Sequence, residues 1–141
     1  MSDFERFVEQ LQRKIDEQER ELYSARVIEH ARDPRNVGSL ENADGFAVVT
    51  GWCGDTMKIY LRLGPERTIR QVTFITDGCG PTLACGSMMT VLVRGLSPEE
   101  ALKISADKLI RALDGLPAES VHCAELTVNT LRAAIADLPK L

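Results

Sequence analysis

Three short runs between residues 46 and 76 alternate apolar and polar side chains, and this period of two constrains the fold most. Phe46 to Thr50 is rich in β-branched residues. Thr56 to Leu63 sets Met57, Ile59, Leu61 and Leu63 on one side and Lys58, Tyr60 and Arg62 on the other. Ile69 to Thr76 alternates again, with Val72 and Phe74 opposite Thr73 and Ile75. Gly64-Pro65-Glu66-Arg67 joins the second and third runs as a short hairpin loop. One polar and one apolar side per run means a sheet covered on a single face.

Downstream of the strands the chain reads as helix. Pro81 suits a first helical position because its missing N–H needs no partner there, and Gly95 stops that helix after about Arg94. Ser97-Pro98-Glu99-Glu100 is a strong helix start, leading to a short helix up to Ile104. Another helix covers Asp107 to Leu113, ended by Gly115 and Pro117. A last one runs to Ala136 with Ser120 as its expected cap, placing His122 and Cys123 in the first turn. Strands first and helices afterwards predict an α+β domain: a three-stranded antiparallel sheet with helices packed on one face.

Residues 3 to 32 also read as helix. Phe4, Val8, Leu11, Ile15 and Leu22 recur at alternating steps of four and three, with Gln18 interrupting the stripe. Asp33-Pro34 ends the run, since the residue before proline avoids helical geometry. The charge-dense first part predicts an N-terminal helical extension over residues 1–22, attached to a domain over 23–141. Its stripe is expected to dock on the chain's own core, another copy or a partner being the alternatives. His30, on a charged helical face, is expected to be solvated.

At 141 residues with 44% apolar side chains, the chain can bury a real core without disulfides. A net charge of -4 gives no basic footprint for nucleic acid. No apolar stretch reaches the roughly 20 residues needed to cross a bilayer. Met1 to Arg20 is studded with Asp and Glu and lacks the apolar stretch of a signal peptide, so cytoplasm is the expected compartment. In a reducing compartment the four cysteines read as thiols or metal ligands.

Three motifs carry the chemistry: Cys53-Gly54-Asp55, Gly78-Cys79-Gly80 and His122-Cys123. All three cysteines fall at element ends: a loop between strands, a strand-to-helix turn and a helix N-terminus. Positive potential at a helix N-terminus stabilises a thiolate, which favours sulfur or metal chemistry at Cys123 and assists Cys79. Asp55 adds an oxygen donor and His122 a nitrogen donor. Thiolates and imidazole suit iron, zinc or an iron–sulfur cluster. No tight Cys-x-x-Cys pair is present, so distant elements must converge to make one site. Cys85 lies inside a helix beside Leu83, Met88, Met89 and Leu92 and reads as core packing.

In this order and spacing, with Tyr23-Ser24, Val27-Ile28 and Asp33-Pro34-Arg35-Asn36-Val37-Gly38 upstream, the chain resembles the IscU/NifU-type iron–sulfur cluster assembly scaffolds from about Tyr23 to Asp137. The resemblance implies a non-enzymatic scaffold whose cluster and sulfur-receiving cysteines are Cys53, Cys79 and Cys123, with Asp55 and His122 assisting. It implies Cys123 as principal persulfide acceptor, a cysteine desulfurase as sulfur donor and iron, from an iron donor or frataxin-like protein, as the metal. The product would be a transient 2Fe–2S cluster, passed to acceptor apoproteins. Leu116-Pro117-Ala118-Glu119-Ser120 departs from the Leu-Pro-Pro-Val-Lys segment of bacterial members, so a dedicated Hsp70-type chaperone is not expected. The alternatives are a SufU-like zinc-binding sulfur acceptor that stimulates a desulfurase, and a structural zinc module.

Overall fold

A computed structural model of the chain describes residues 2–78 and 80–140. In chain order the elements are α1 (Asp3–Leu22), α2 (Ala25–Arg32), β1 (Gly45–Thr50), β2 (Thr56–Leu63), β3 (Ile69–Thr76), α3 (Pro81–Val93), α4 (Pro98–Ala101), α5 (Ala106–Ala112) and α6 (Val121–Ala136). The three strands form one sheet in the order β1-β2-β3, both pairs antiparallel. Gly45 pairs with Leu61 and Thr50 with Thr56 in the first ladder, and Met57 with Thr76 in the second. A register shift at Arg62/Leu63 is why Ile69 shares the inner face with Val72 and Phe74 despite their odd spacing.

The inner face carries Met57, Ile59, Leu61, Ile69, Val72 and Phe74, all buried. Across it lie α3, against β3, and α6, against β1 and β2. The other face stays open: Phe46 and Val48 are exposed, and the Phe46 and Tyr60 rings meet across the strands with centroids 4.8 Å apart. The α+β architecture with helices on one side therefore matches the expectation from alternation.

The helical stretch expected over residues 3 to 32, with its charge-dense first part as an extension over 1–22, is two helices that part at Tyr23 and Ser24. Ser24 has extended backbone, and its hydroxyl oxygen accepts from the Val27 N–H while its O–H donates to the Leu113 carbonyl. The side chain thus caps α2 and ties it to the end of α5. Val27 then packs into the core, and α2 lies along α3.

His30 is also corrected: it is buried, not solvated. Its ring meets the Ser87 hydroxyl at 2.7 Å on α3, and the Arg35 guanidinium lies against it. Docking of α1 on the core is not observed. No residue of α1 is buried, and its apolar stripe faces solvent. The break at Ser24 turns α1 away, and Arg32 grips its charged flank through Asp16 and Glu19 at 3.0 and 2.6 Å.

At the other end of the chain, Ser120 does not cap α6 with its side chain. A single 3-10 turn over Ala118–Ser120 runs straight into the helix, leaving Ser120 at ψ 0 rather than in the extended geometry a cap needs.

Candidate functional site

The β1–β2 turn brings Cys53 and Asp55 to one end of the sheet. Gly51 N–H donates to the Asp55 carbonyl at 2.8 Å and Gly54 N–H to the Gly51 carbonyl at 2.9 Å, closing a tight loop. Gly54 sits at φ +95, a conformation that an L side chain resists. This loop leaves Cys53 exposed and Asp55 half-buried. The Cys53 side chain lines a shallow cavity with Gly51, Trp52, His122 and Leu126, so the loop and the start of α6 form two walls of one recess. Trp52, 85% exposed, stands over it with its ring centroid 5.3 Å from that of His122.

Asp55 points to the other side of the same corner. Its Oδ2 accepts a hydrogen bond from the Thr82 hydroxyl at 3.1 Å, and that hydroxyl also lies 3.3 Å from Cys123 Sγ. Thr82 is in the first turn of α3 and Cys123 in the first turn of α6, so the starts of two helices meet at the Thr82 hydroxyl beside Asp55. The start of each helix carries partial positive charge, which favours anionic sulfur and oxygen near it. His122 Nε2 stands 3.7 Å from Cys123 Sγ and links the recess to the carboxylate cluster.

Gly78 shows how closely these groups pack. A Cβ at that position would lie 2.8 Å from Asp55 Oδ2 and 2.8 Å from the Thr82 side chain, so no larger residue fits unless they move. Cys79, which the sequence places among the ligands, lies outside the described residues. Among the described residues, no three His, Cys, Asp or Glu side chains close around a single ion position. What the fold brings together is a two-walled corner: Cys53 and His122 on the recess, Asp55 and Cys123 joined through Thr82.

The donor set fits iron or zinc. Two cysteine sulfurs, one carboxylate and one imidazole are the ligand types those metals and iron–sulfur clusters take. Cys85 is set apart from them. It is fully buried in α3, and burial first, then the charge of nearby Cys123, pushes its thiol far above the usual range. A thiol so held stays protonated and is a poor nucleophile or ligand.

Sequence reasoning missed Thr82. It stands 27 positions from Asp55 and 41 from Cys123, and only its place three residues after Cys79 hinted at the site.

Comparison with known proteins places the chain in a family. The family model described as "NifU-like N terminal domain" matches residues 22–140. Iron-sulfur cluster assembly scaffold protein IscU 1 of Archaeoglobus fulgidus is 44% identical over 117 residues, covering 82% of this chain and 76% of that protein. IscU of Escherichia coli, with the same scaffold description, is 40% identical over 119 residues, covering 82% of this chain and 92% of its own. Among solved structures, the N-terminal part of a NifU-like protein from Brucella abortus superposes with a TM-score of 0.65 at 20% identity, covering 82% of this chain and 92% of that one, a likeness of fold. The protein belongs to the NifU-like N-terminal domain family.

Proposed function

We propose that this chain is a scaffold on which iron–sulfur clusters are built and from which they are handed to acceptor apoproteins. The observation that carries the reading is the corner itself: Cys53, Asp55, His122 and Cys123 come from distant parts of the chain and face one end of the sheet. The names borne by the relatives in Archaeoglobus and Escherichia point the same way. The site belongs to the unit over residues 23–141, with residues 1–22 as an attached extension. No helix among the described residues is long and apolar enough to cross a membrane, and we place the protein in the cytoplasm.

Sulfur enters at Cys123. Placed in the first turn of α6, its thiolate attacks the outer sulfur of a persulfide on a cysteine desulfurase. The donor's S–S bond breaks, the desulfurase cysteine leaves as a thiolate, and a persulfide remains on Cys123. Iron, delivered as substrate by a frataxin-like or other donor, is held by Cys53, Cys79 and Cys123, with Asp55 and His122 as exchangeable partners. A hard carboxylate among soft thiolates gives a cluster an easier route out than a fourth thiolate would. An electron-transfer protein or ferrous iron must supply two electrons per sulfur to reduce the persulfide to bridging sulfide, and the resulting 2Fe–2S cluster then passes to an apoprotein. The scaffold itself turns over no organic substrate.

The same donor set suits tetrahedral zinc, which supports a second reading as a zinc-bound sulfur acceptor that stimulates a desulfurase. Anaerobic reconstitution with iron, cysteine and a desulfurase separates the two. A coloured, labile cluster that moves to an apo-ferredoxin is the expected result. Colourless zinc binding with faster desulfurase turnover and no cluster would assign the second role.

A further inference from the structure

Helix α1 presents an apolar seam that none of the described residues buries. Phe4, Val8, Leu11, Ile15 and Leu22 are exposed, Phe4 at 73% and Leu22 at 58%. With Gln18 included, these positions follow steps of four and three without a break over about 30 Å of helix. That is the 3.5-residue repeat of a coiled coil, widened at one g position near the start of the helix by Phe7, 57% exposed. In heptad terms Val8, Ile15 and Leu22 occupy the a positions, and Phe4, Leu11 and Gln18 the d positions.

We propose that α1 pairs with α1 of a second copy of this chain as a parallel two-stranded coiled coil. Three observations choose this occupant and this orientation. β-Branched Val8 and Ile15 at a with Leu11 at d is the combination that favours two parallel strands. A parallel pairing sets Lys14, at a g position, beside Glu19 of the second copy at the following e position, a carboxylate whose Oε2 also accepts from its own Arg32, and the two-fold axis repeats the contact. An antiparallel pairing centred on the same seam instead sets Lys14 against Lys14 and Glu5 against Glu19. Gln18, the lone polar seam residue, meets its own counterpart in the parallel register, where two amides hydrogen-bond to each other and fix the alignment.

The geometry leaves room for this pairing. Asp16 and Glu19 hold Arg32 from a flank roughly a quarter turn from the seam, so the domain does not cover the apolar face. An anionic membrane is the weaker occupant. The helix carries seven acidic and four basic side chains, the wrong balance for an anionic lipid surface.

The test uses the full apo chain, so it does not depend on the cluster-scaffold reading. Sedimentation equilibrium should show a reversible dimer. Leu11→Asp with Ile15→Asp should raise its dissociation constant by at least about tenfold, while the thermal transition of the domain stays put because no α1 residue is buried in its core. Gln18→Cys should give a position 18 to position 18 disulfide between copies on mild oxidation, located by peptide mass spectrometry. A wild-type chain that sediments as a monomer throughout overturns the proposal, as does a dimer untouched by the seam variant. A dimer that never crosslinks at position 18 overturns the parallel arrangement. A monomer that co-sediments with phosphatidylserine vesicles assigns the seam to lipid instead.

Discussion

Thr82→Val removes one hydroxyl from the centre of the site and leaves its shape nearly intact. Thr82 is 2% exposed, and its Oγ1 sits 3.1 Å from Asp55 Oδ2 and 3.3 Å from Cys123 Sγ. A hydrogen bond to a charged acceptor contributes about 1.5–3 kcal/mol. Asp55 is half-buried, so water replaces part of the loss and about 1–2 kcal/mol remains. With an unfolding entropy of about 2.1 cal/mol/K per residue over 141 residues, that lowers Tm by roughly 3–7 °C.

Calorimetry on the apo protein reads the drop, and a double-mutant cycle assigns it. In an Asp55→Ala background the hydroxyl has lost its charged acceptor, so Thr82→Val should cost about 1 kcal/mol less than in the wild type. Equal cost in both backgrounds, or no cost in either, would show that the Thr82–Asp55 bond does not hold the corner together.

Asp55→Ala should slow cluster transfer from the loaded protein to apo-ferredoxin several-fold, because the exchangeable oxygen ligand is gone; unchanged transfer kinetics, followed by circular dichroism, would remove that role. Cys85→Ser should keep cluster loading close to wild type while lowering stability by about 1–2 kcal/mol, since it puts a hydroxyl into an apolar site. Loading as poor as that of Cys123→Ser would make Cys85 part of the site. His30 is held below its ordinary value of 6.5, by burial first and then by the Arg35 guanidinium, with Arg26 adding to the effect and Glu29 opposing it. Below 6.5 the unfolded chain takes a proton that the folded chain refuses. Stability is therefore complete above that pH, declines as pH falls toward the folded value, and levels off below it. His30→Gln should flatten that slope between about pH 7.5 and about pH 5.5, read from Tm; an equal slope in both proteins would place the titration elsewhere.

The strands and the late helices were legible because their determinants are local. Alternation at Met57, Ile59 and Leu61 chose the buried face, and Ser97 before Pro98 marked a helix start that the structure builds as a capping box with Glu100. The misreadings share a cause: each depended on a partner far along the chain. The composition set residues 1–22 apart, but the capping role of Ser24 shows only with its bond to Leu113, 89 positions away. His30 looks solvated until Ser87 supplies a buried partner 57 positions on. For α1 the stripe was legible, but periodicity alone does not say which surface it meets. The cysteine motifs were readable as ligand chemistry, whereas Thr82 became visible only when α3 and α6 met over the β1–β2 turn.

Alkylation footprinting of the apo and cluster-loaded protein, resolved cysteine by cysteine by mass spectrometry, tests the shared corner most directly. Exposed Cys53 should lose its reactivity on loading and regain it on iron chelation. Cys123, only 5% exposed, should react slowly in the apo protein and not at all when loaded, and Cys85 should stay unreactive until the protein is unfolded. A loaded protein in which Cys123 is shielded but Cys53 still reacts at its apo rate would mean that the two sulfurs do not serve one cluster.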